Sequence, residues 1–128
     1  MTKRVVRTPL GPQALGAYSQ AIVSGDLIFV SGQISIDPAT GNLIEEKDIK
    51  AQTRRCLLNL QGILQGAGAS LGNVVRTTVF LKNMDDFAEM NRVYGEFFSE
   101  AAPARATVEV ARLPKDVGVE IDRIAVVD

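Results

Sequence analysis

The sequence has 128 residues, of which 46% are hydrophobic and 23% charged, as is typical of a single globular domain. Its net charge of −1 lacks the strong positive charge of a general nucleic-acid-binding domain, so we expect no nucleic-acid partner. Because the chain has no histidine and one cysteine, histidine-dependent nucleophiles, histidine-bound zinc and an intrachain disulfide are excluded.

The location of the protein is predicted from its ends and its apolar runs. The amino-terminal segment is charged and has no apolar run of signal-peptide length. The longest clear apolar run, Leu27 to Val30, is far too short to cross a bilayer. A lone Cys56 fits a reducing compartment. We therefore expect a cytoplasmic protein with no membrane contact, folded as one domain over residues 1–128.

Turn signals in the first third of the chain predict strands at 4–7, 20–23 and 27–34. The turn Ser24-Gly25-Asp26 predicts that the second and third strands form a hairpin. Both faces of Leu27 to Val30 are apolar, which predicts a strand covered on both sides. This strand runs into Ser31-Gly32-Gln33, where small and polar residues fit either a ligand site or a plain β-bulge.

Apolar residues at helical spacing predict two helices, at 49–66 and at about 86–98. Asp48 is the predicted N-cap of the first helix, and two glycines after Leu64 end it. Cys56 lies on the apolar stripe of this helix, which indicates a small core residue rather than a nucleophile. Asn91 falls inside the stripe of the second helix, where its amide either bonds a neighbouring loop or reaches a site at the sheet edge.

The remaining strands are predicted at 74–81, 105–110 and 119–127. The link between the last two is long for a tight hairpin, so we do not expect them to pair. Each helix lies in a β-α-β crossover, and right-handed crossovers place both helices on the same side of one sheet. The expected fold is an α/β two-layer sandwich. Because the other sheet face is too apolar to meet water entirely, we also expect oligomerisation.

Two charges stand at unusual positions in the last two strands, Arg105 and Glu120. A guanidinium is well shaped to bind a carboxylate with two parallel hydrogen bonds. A carboxylate is a common general base or water-positioning group. If the two side chains share a pocket, they form a site for a small organic acid and an attacking water. Otherwise they are ordinary solvated or salt-bridged charges.

Taken together, the segments resemble the RidA (YjgF) family over essentially the whole chain. The resemblance is carried by five stretches in this order: Gly16-Ala17-Tyr18-Ser19-Gln20, Ser31-Gly32-Gln33-Ile34, Pro103-Ala104-Arg105-Ala106-Thr107-Val108, Arg112-Leu113-Pro114-Lys115-Asp116 and Val119-Glu120-Ile121. It implies a chorismate-mutase-like α+β fold, with a six-stranded mixed sheet and two helices on one face. It also implies that the last strand lies between those beginning near 27 and 74, and that a homotrimer forms around a central barrel with sites between subunits.

The resemblance further implies hydrolysis of 2-iminobutanoate and 2-iminopropanoate to 2-oxo acids and ammonia, with no metal and no cofactor. Arg105 is then expected to bind the substrate carboxylate, and Glu120 to hold and activate the attacking water. Tyr18 is expected to orient the ligand or the water. The substrate-binding residues implied by the family are Arg105, Ser31, Gly32, Asn91 and Thr107. Thr107 departs from some bacterial relatives, which carry a cysteine there, and so removes any thiol-based mechanism.

Two other functions are compatible with the sequence. Some members of the family are described as endoribonucleases or translation inhibitors, although the charge, the missing histidine and the few aromatic residues count against RNA binding here. Other members are non-catalytic small-carboxylate-binding or chaperone-like modules. The presence of both Arg105 and Glu120 favours catalysis.

Overall fold

The computed structural model describes residues 2–127, which form six strands and two helices. They are β1 (Lys3–Val6), β2 (Ala21–Ser24), β3 (Leu27–Gln33), α1 (Ile49–Gly66), β4 (Val74–Leu81), α2 (Phe87–Phe97), β5 (Ala104–Glu109) and β6 (Val119–Val126). Every predicted element is present. The ends differ from the predicted ones by no more than a single residue.

The strands form one mixed sheet in the order β1-β2-β3-β6-β4-β5. Only the β4–β5 pair is parallel, and the remaining neighbours are antiparallel. The last strand therefore lies between β3 and β4, as the family resemblance implied. Because β4 separates β5 from β6, the prediction that these two strands do not pair is confirmed.

Both helices cover the same face of the sheet and enclose the core. The apolar stripe of α1 is fully buried, including Cys56 and Leu60. Burial raises the pKa of the Cys56 thiol to about 12, which keeps it protonated and confirms the interpretation of a core residue. Asp48 caps α1 as predicted, because its carboxylate accepts a hydrogen bond from the Ala51 amide at 3.1 Å.

Among residues 2–127, no second layer covers the opposite face of the sheet. Phe29 is 42% exposed on this face, and Leu27 is exposed beside it. The expectation that β3 is covered on both sides is therefore wrong for one chain. Side chains alternate along a strand, so the helices bury Ile28 and Val30 and leave their neighbours open. With Val108 also exposed, the open face keeps an apolar surface without a partner.

One charged residue, Arg123, lies in the core. Arg123 is 2% exposed on the helix-covered face of β6. None of its three guanidinium nitrogens has a hydrogen-bond partner among the described residues. Burial lowers the pKa of this guanidinium well below its usual value, since charge is disfavoured away from water.

Candidate functional site

A cavity of about 440 Å³ opens where β3 ends and β6 begins. Its walls come from the loop before β2, the end of β3, the turn before β6 and the first residues of β6. Four of the residues singled out in the sequence lie in its lining: Tyr18, Ser31, Gly32 and Glu120. We call this region the Glu120 cavity.

The position of Glu120 depends on the missing side chain of Gly32. The β3–β6 register shifts between Val30 and Gln33, so a β-bulge stands beside the carboxylate. A Cβ atom added at Gly32 would overlap Oε2 of Glu120. The two interpretations of this segment are thus compatible, because the bulge is what allows the backbone to lie against the glutamate.

Glu120 is half-buried and lies near a second carboxylate, Asp122. Burial raises the pKa of its carboxyl, and the Asp122 carboxylate nearby raises it further. Within residues 2–127 its carboxylate forms no ion pair, so no cation opposes this shift. A carboxylate with a raised pKa is a stronger base when ionised, which suits it to take a proton from water.

The loop wall of the cavity is fastened by the side-chain amide of Gln20, which is 3% exposed. Its Oε1 accepts from the Thr8 amide at 2.7 Å, and its Nε2 donates to the carbonyl of Pro12 at 2.7 Å. Nε2 also donates to the carbonyls of Thr8 at 3.0 Å and Gly11 at 3.2 Å. Four bonds from one buried amide therefore hold the loop that forms the wall.

Two polar side chains on the wall already have partners within the chain. The Ser31 hydroxyl donates to the carbonyl of Ser19 at 2.6 Å, which leaves its oxygen as an acceptor for a ligand. Tyr18 is 55% exposed, and its hydroxyl oxygen accepts from the Leu15 amide at 3.5 Å. The phenol thus stands at the cavity mouth, where it is accessible to a ligand.

The rim of the cavity contains strained backbone that the sequence did not reveal. Lys115 and Asp116 have φ angles of 56° and 57°, in the left-handed region that non-glycine residues rarely adopt. Pro114 and Lys115 line the cavity, so the strain lies at the site itself. The only sequence signal was the proline, because positive φ at lysine and aspartate depends on the surrounding contacts.

A second polar group lies around Arg105 on the helix-covered face. Its Nη1 donates to Oδ1 of Asn91 at 2.7 Å. Thr107, two residues along the same strand, has a buried hydroxyl oxygen without a hydrogen-bond partner among the described residues. Arg105 forms no ion pair with any acidic group described. We call these three residues the Arg105 cluster, a cationic group that lacks an anion.

The Glu120 cavity and the Arg105 cluster do not meet within one chain. On β4, Glu120 pairs with Phe80 and Arg105 pairs with Thr77. Paired residues project to the same side of a sheet, and residues of opposite parity on a strand project to opposite sides. Glu120 is therefore on the open face and Arg105 on the helix-covered face, so a shared pocket inside one chain is ruled out.

The described residues add two findings about other kinds of site. Among residues 2–127, no group of three or more acidic, cysteine or histidine side chains is placed to hold a metal ion. Within the same range, neither helix is both long and apolar enough to cross a bilayer.

Two helices packed on a six-stranded mixed sheet place the protein among the small α+β domains. A sequence model described as Endoribonuclease L-PSP matches residues 8–127. The chain belongs to this family, which is also called the YjgF or RidA family.

Three relatives show how close the likeness is. A RutC family protein from Pyrococcus abyssi is 54% identical, with 98% of each chain covered. The 2-iminobutanoate/2-iminopropanoate deaminase of Salmonella typhimurium is 46% identical over 96% of this chain and 97% of its own. The crystal structure of Escherichia coli TdcF with bound serine superposes with a TM-score of 0.92 at 40% identity, covering 98% of this chain and 99% of that one.

Proposed function

We propose that this protein is a deaminase that hydrolyses 2-iminobutanoate and 2-iminopropanoate to 2-oxo acids and ammonia. The observation that supports the proposal is that the chain carries two incomplete polar groups, one at Glu120 and one at Arg105. Glu120 is a half-buried carboxylate in a cavity, and Arg105 is a guanidinium outside it; neither forms an ion pair with another residue of the described range 2–127. A 2-imino acid supplies both missing partners, a carboxylate for the arginine and an electrophilic carbon for a water held by the glutamate.

The chemistry needs only groups that this chain carries. Arg105 binds the substrate carboxylate through its N–H groups, and Glu120 takes a proton from water as the water oxygen attacks the imine carbon. The resulting tetrahedral carbon loses its nitrogen as ammonia once that nitrogen is protonated, and the hydroxyl proton leaves as the 2-oxo acid forms. The imine is already electrophilic, so positioning and one base are sufficient, with no metal, cofactor or covalent intermediate.

The opposite placement of the two groups calls for a second copy of the chain. In the proposed assembly, a homotrimer, the Arg105 cluster of one subunit faces the Glu120 cavity of the next. The exposed apolar surface around Phe29 favours association through the open face, because such a surface is unfavourable in water. Arg105 lies on β5 at the edge of the sheet, where a neighbouring subunit has access.

Two of the relatives support a small acid as the ligand. The Salmonella typhimurium protein is named for the reaction proposed here, and the Escherichia coli structure contains serine, which carries a carboxylate beside a nitrogen-bearing carbon. The proposed substrates have the same arrangement around the α-carbon. We further propose that the protein acts in the cytoplasm, on imines released by dehydratases that act on threonine and serine.

The proposal is tested with a coupled assay. A threonine dehydratase generates the imine, semicarbazide traps it, and the purified protein is expected to lower the trapped fraction in proportion to its concentration. Arg105→Ala is the matched control, because it removes the carboxylate clamp at a partly exposed position. If the wild-type protein leaves the trapped fraction unchanged, or if Arg105→Ala is fully active, the proposal is wrong.

The family description favours one alternative, RNA cleavage. The net charge of −1 and the absence of histidine count against it, since RNA binding draws on positive charge. The same preparations are to be incubated with single-stranded RNA. Cleavage that persists after removal of contaminating nucleases and disappears in Glu120→Gln would support the alternative. Binding of small carboxylates without turnover would instead indicate a non-catalytic module.

A further inference from the structure

The guanidinium of Arg105 lies over two aromatic rings of α2. Its Cζ atom is 4.6 Å from the centre of the Tyr94 ring and 5.5 Å from that of Phe87. Both distances are within the range of an attractive cation–π contact. Positions 87 and 94 are two helical turns apart, so the rings lie on one side of the helix, and Asn91 stands between them. Three residues on one face of α2 therefore contact the guanidinium.

Tyr94 is itself held in place from the sheet. Its hydroxyl shares a 2.7 Å hydrogen bond with Oγ1 of Thr77, in a buried environment. The Phe98 ring packs against it with 4.8 Å between ring centres. Thr77 is also the direct neighbour of Arg105 across the β4–β5 pair. The strand pair that carries the arginine therefore anchors the ring on which the arginine rests.

We propose that Tyr94, anchored by Thr77, is a positioning residue that fixes the plane of the Arg105 guanidinium before substrate binds. The proposal rests on the proposed function, in which Arg105 receives the carboxylate. Oδ1 of Asn91 accepts a hydrogen bond from Nη1, and the ring centres of Tyr94 and Phe87 lie 4.6 Å and 5.5 Å from Cζ. What remains free is the rest of the N–H edge, which is the part that binds a carboxylate with two parallel hydrogen bonds.

Holding the arginine in advance removes a cost from substrate binding. A free arginine side chain must lose rotamer freedom when it binds, and this loss lowers the affinity. We call the rings of Tyr94 and Phe87 the aromatic platform. A fixed guanidinium binds the ground state and the transition state equally, so loss of the platform is expected to raise KM and to leave kcat nearly unchanged. We expect Tyr94→Leu to raise KM about tenfold. Tyr94→Phe, which keeps the ring, is expected to raise KM only about twofold.

The anchor is tested by a pair of variants. Thr77→Val removes the partner of the Tyr94 hydroxyl and is expected to match Tyr94→Phe in its effect on KM. The double variant is expected to be no worse than either single one, because both remove the same bond. Fully additive effects would overturn the role of Thr77 as anchor.

A measurement independent of turnover separates this proposal from the proposed function. Nitrogen relaxation of the Arg105 Nε–H group, assigned by its absence in Arg105→Lys, reports the mobility of the side chain. We expect a rigid group in wild type and Tyr94→Phe, and a mobile one in Tyr94→Leu. A rigid Arg105 in an inactive wild-type protein would refute the deaminase and support the platform. A group that stays equally rigid in Tyr94→Leu, with KM unchanged, overturns the platform.

Tyr94 is buried, so Tyr94→Leu also carries a risk of unfolding. Phe87→Leu removes the other ring at a partly exposed position and provides a second test. It is expected to raise KM about threefold and to increase the mobility of Arg105, with folding intact. A change in kcat alone, with KM and mobility as in wild type, would overturn the platform.

Discussion

The Glu120 cavity and the Arg105 cluster are built in opposite ways. One wall of the cavity is a loop held in place by the buried side-chain amide of Gln20, and the Glu120 carboxylate lies against the backbone at Gly32. The cluster stands on the regular surface of one strand and one helix, at the edge of the sheet. The Glu120 region is a cavity, whereas the Arg105 cluster holds a guanidinium at the edge of the sheet.

This difference matches the two roles in the proposed reaction, activation of water by Glu120 and binding of the substrate carboxylate by Arg105. A water and a base benefit from enclosure, because an enclosed carboxylate with a raised pKa is a better proton acceptor. A carboxylate clamp benefits from a rigid support, because its hydrogen bonds are directional. Neither region is a complete site, and the sheet separates them within one chain.

The largest effect is expected from Glu120→Gln. The amide keeps the shape of the side chain but takes no proton, so kcat is expected to fall about 10³-fold while substrate binding remains. Steady-state kinetics in the coupled assay measures this. Activity within a few-fold of wild type would show that the cavity does not supply the base. The proposed difference in role between the cavity and the Arg105 cluster would then be wrong.

Gly32→Ala tests whether the missing side chain at Gly32 positions the base. The added methyl overlaps Glu120, so we expect the carboxylate to shift and kcat/KM to fall about 10²-fold. Gly95→Ala is the matched control, since a Cβ there meets nothing within 4 Å. It is expected to retain activity and to raise the free energy of unfolding by about 0.5–1 kcal/mol. Equal activity in the two variants would contradict the role of Gly32.

Arg105→Lys tests the cluster with its charge retained. Lysine lacks the planar fork that binds both carboxylate oxygens, so we expect kcat/KM to fall about tenfold, between wild type and Arg105→Ala. The measurement is the rate with 2-iminopropanoate and 2-iminobutanoate compared side by side. A lysine variant as active as wild type would show that the cluster contributes charge alone.

The smallest effect concerns stability and pH. The folded state raises the pKa of Glu120, so it holds this proton more tightly than the unfolded chain does. The contribution of Glu120 to stability is thus complete below the unfolded pKa and is lost as pH rises through the folded pKa. Glu120→Gln is expected to gain stability over wild type across that interval. Denaturant unfolding at a series of pH values measures the difference, and parallel curves would contradict the shift.

Much of the fold was predictable because it depends on local patterns. The helix from Ile49 to Gly66 follows from its apolar spacing, its Asp48 cap and its terminal glycine, and all three are confirmed. The position of β6 between β3 and β4 was implied by family resemblance and is confirmed. Without the resemblance, the length of the link before β6 predicted only that the last two strands do not pair.

The remaining features depend on contacts that no local pattern encodes. Gln20 belongs to one of the stretches that resemble the family, yet its four hydrogen bonds to the preceding loop depend on how that loop folds back. Alternation along β6 puts Arg123 on the same face as Ile121 and Ala125, but its complete burial without a hydrogen-bond partner among the described residues depends on the packing around it. The separation of Arg105 from Glu120 required the register on β4, which fixes the face that each side chain occupies.

In the proposed assembly, the active site joins two half-sites from different copies of the chain. The most direct test is to co-express Arg105→Ala and Glu120→Gln chains, each inactive alone, and to assay the mixed assembly after confirming its mass. With random mixing in equal amounts, about a quarter of the sites receive an intact arginine from one copy and an intact glutamate from another, and this fraction of wild-type activity should return. A mixture no more active than either variant alone would contradict the claim.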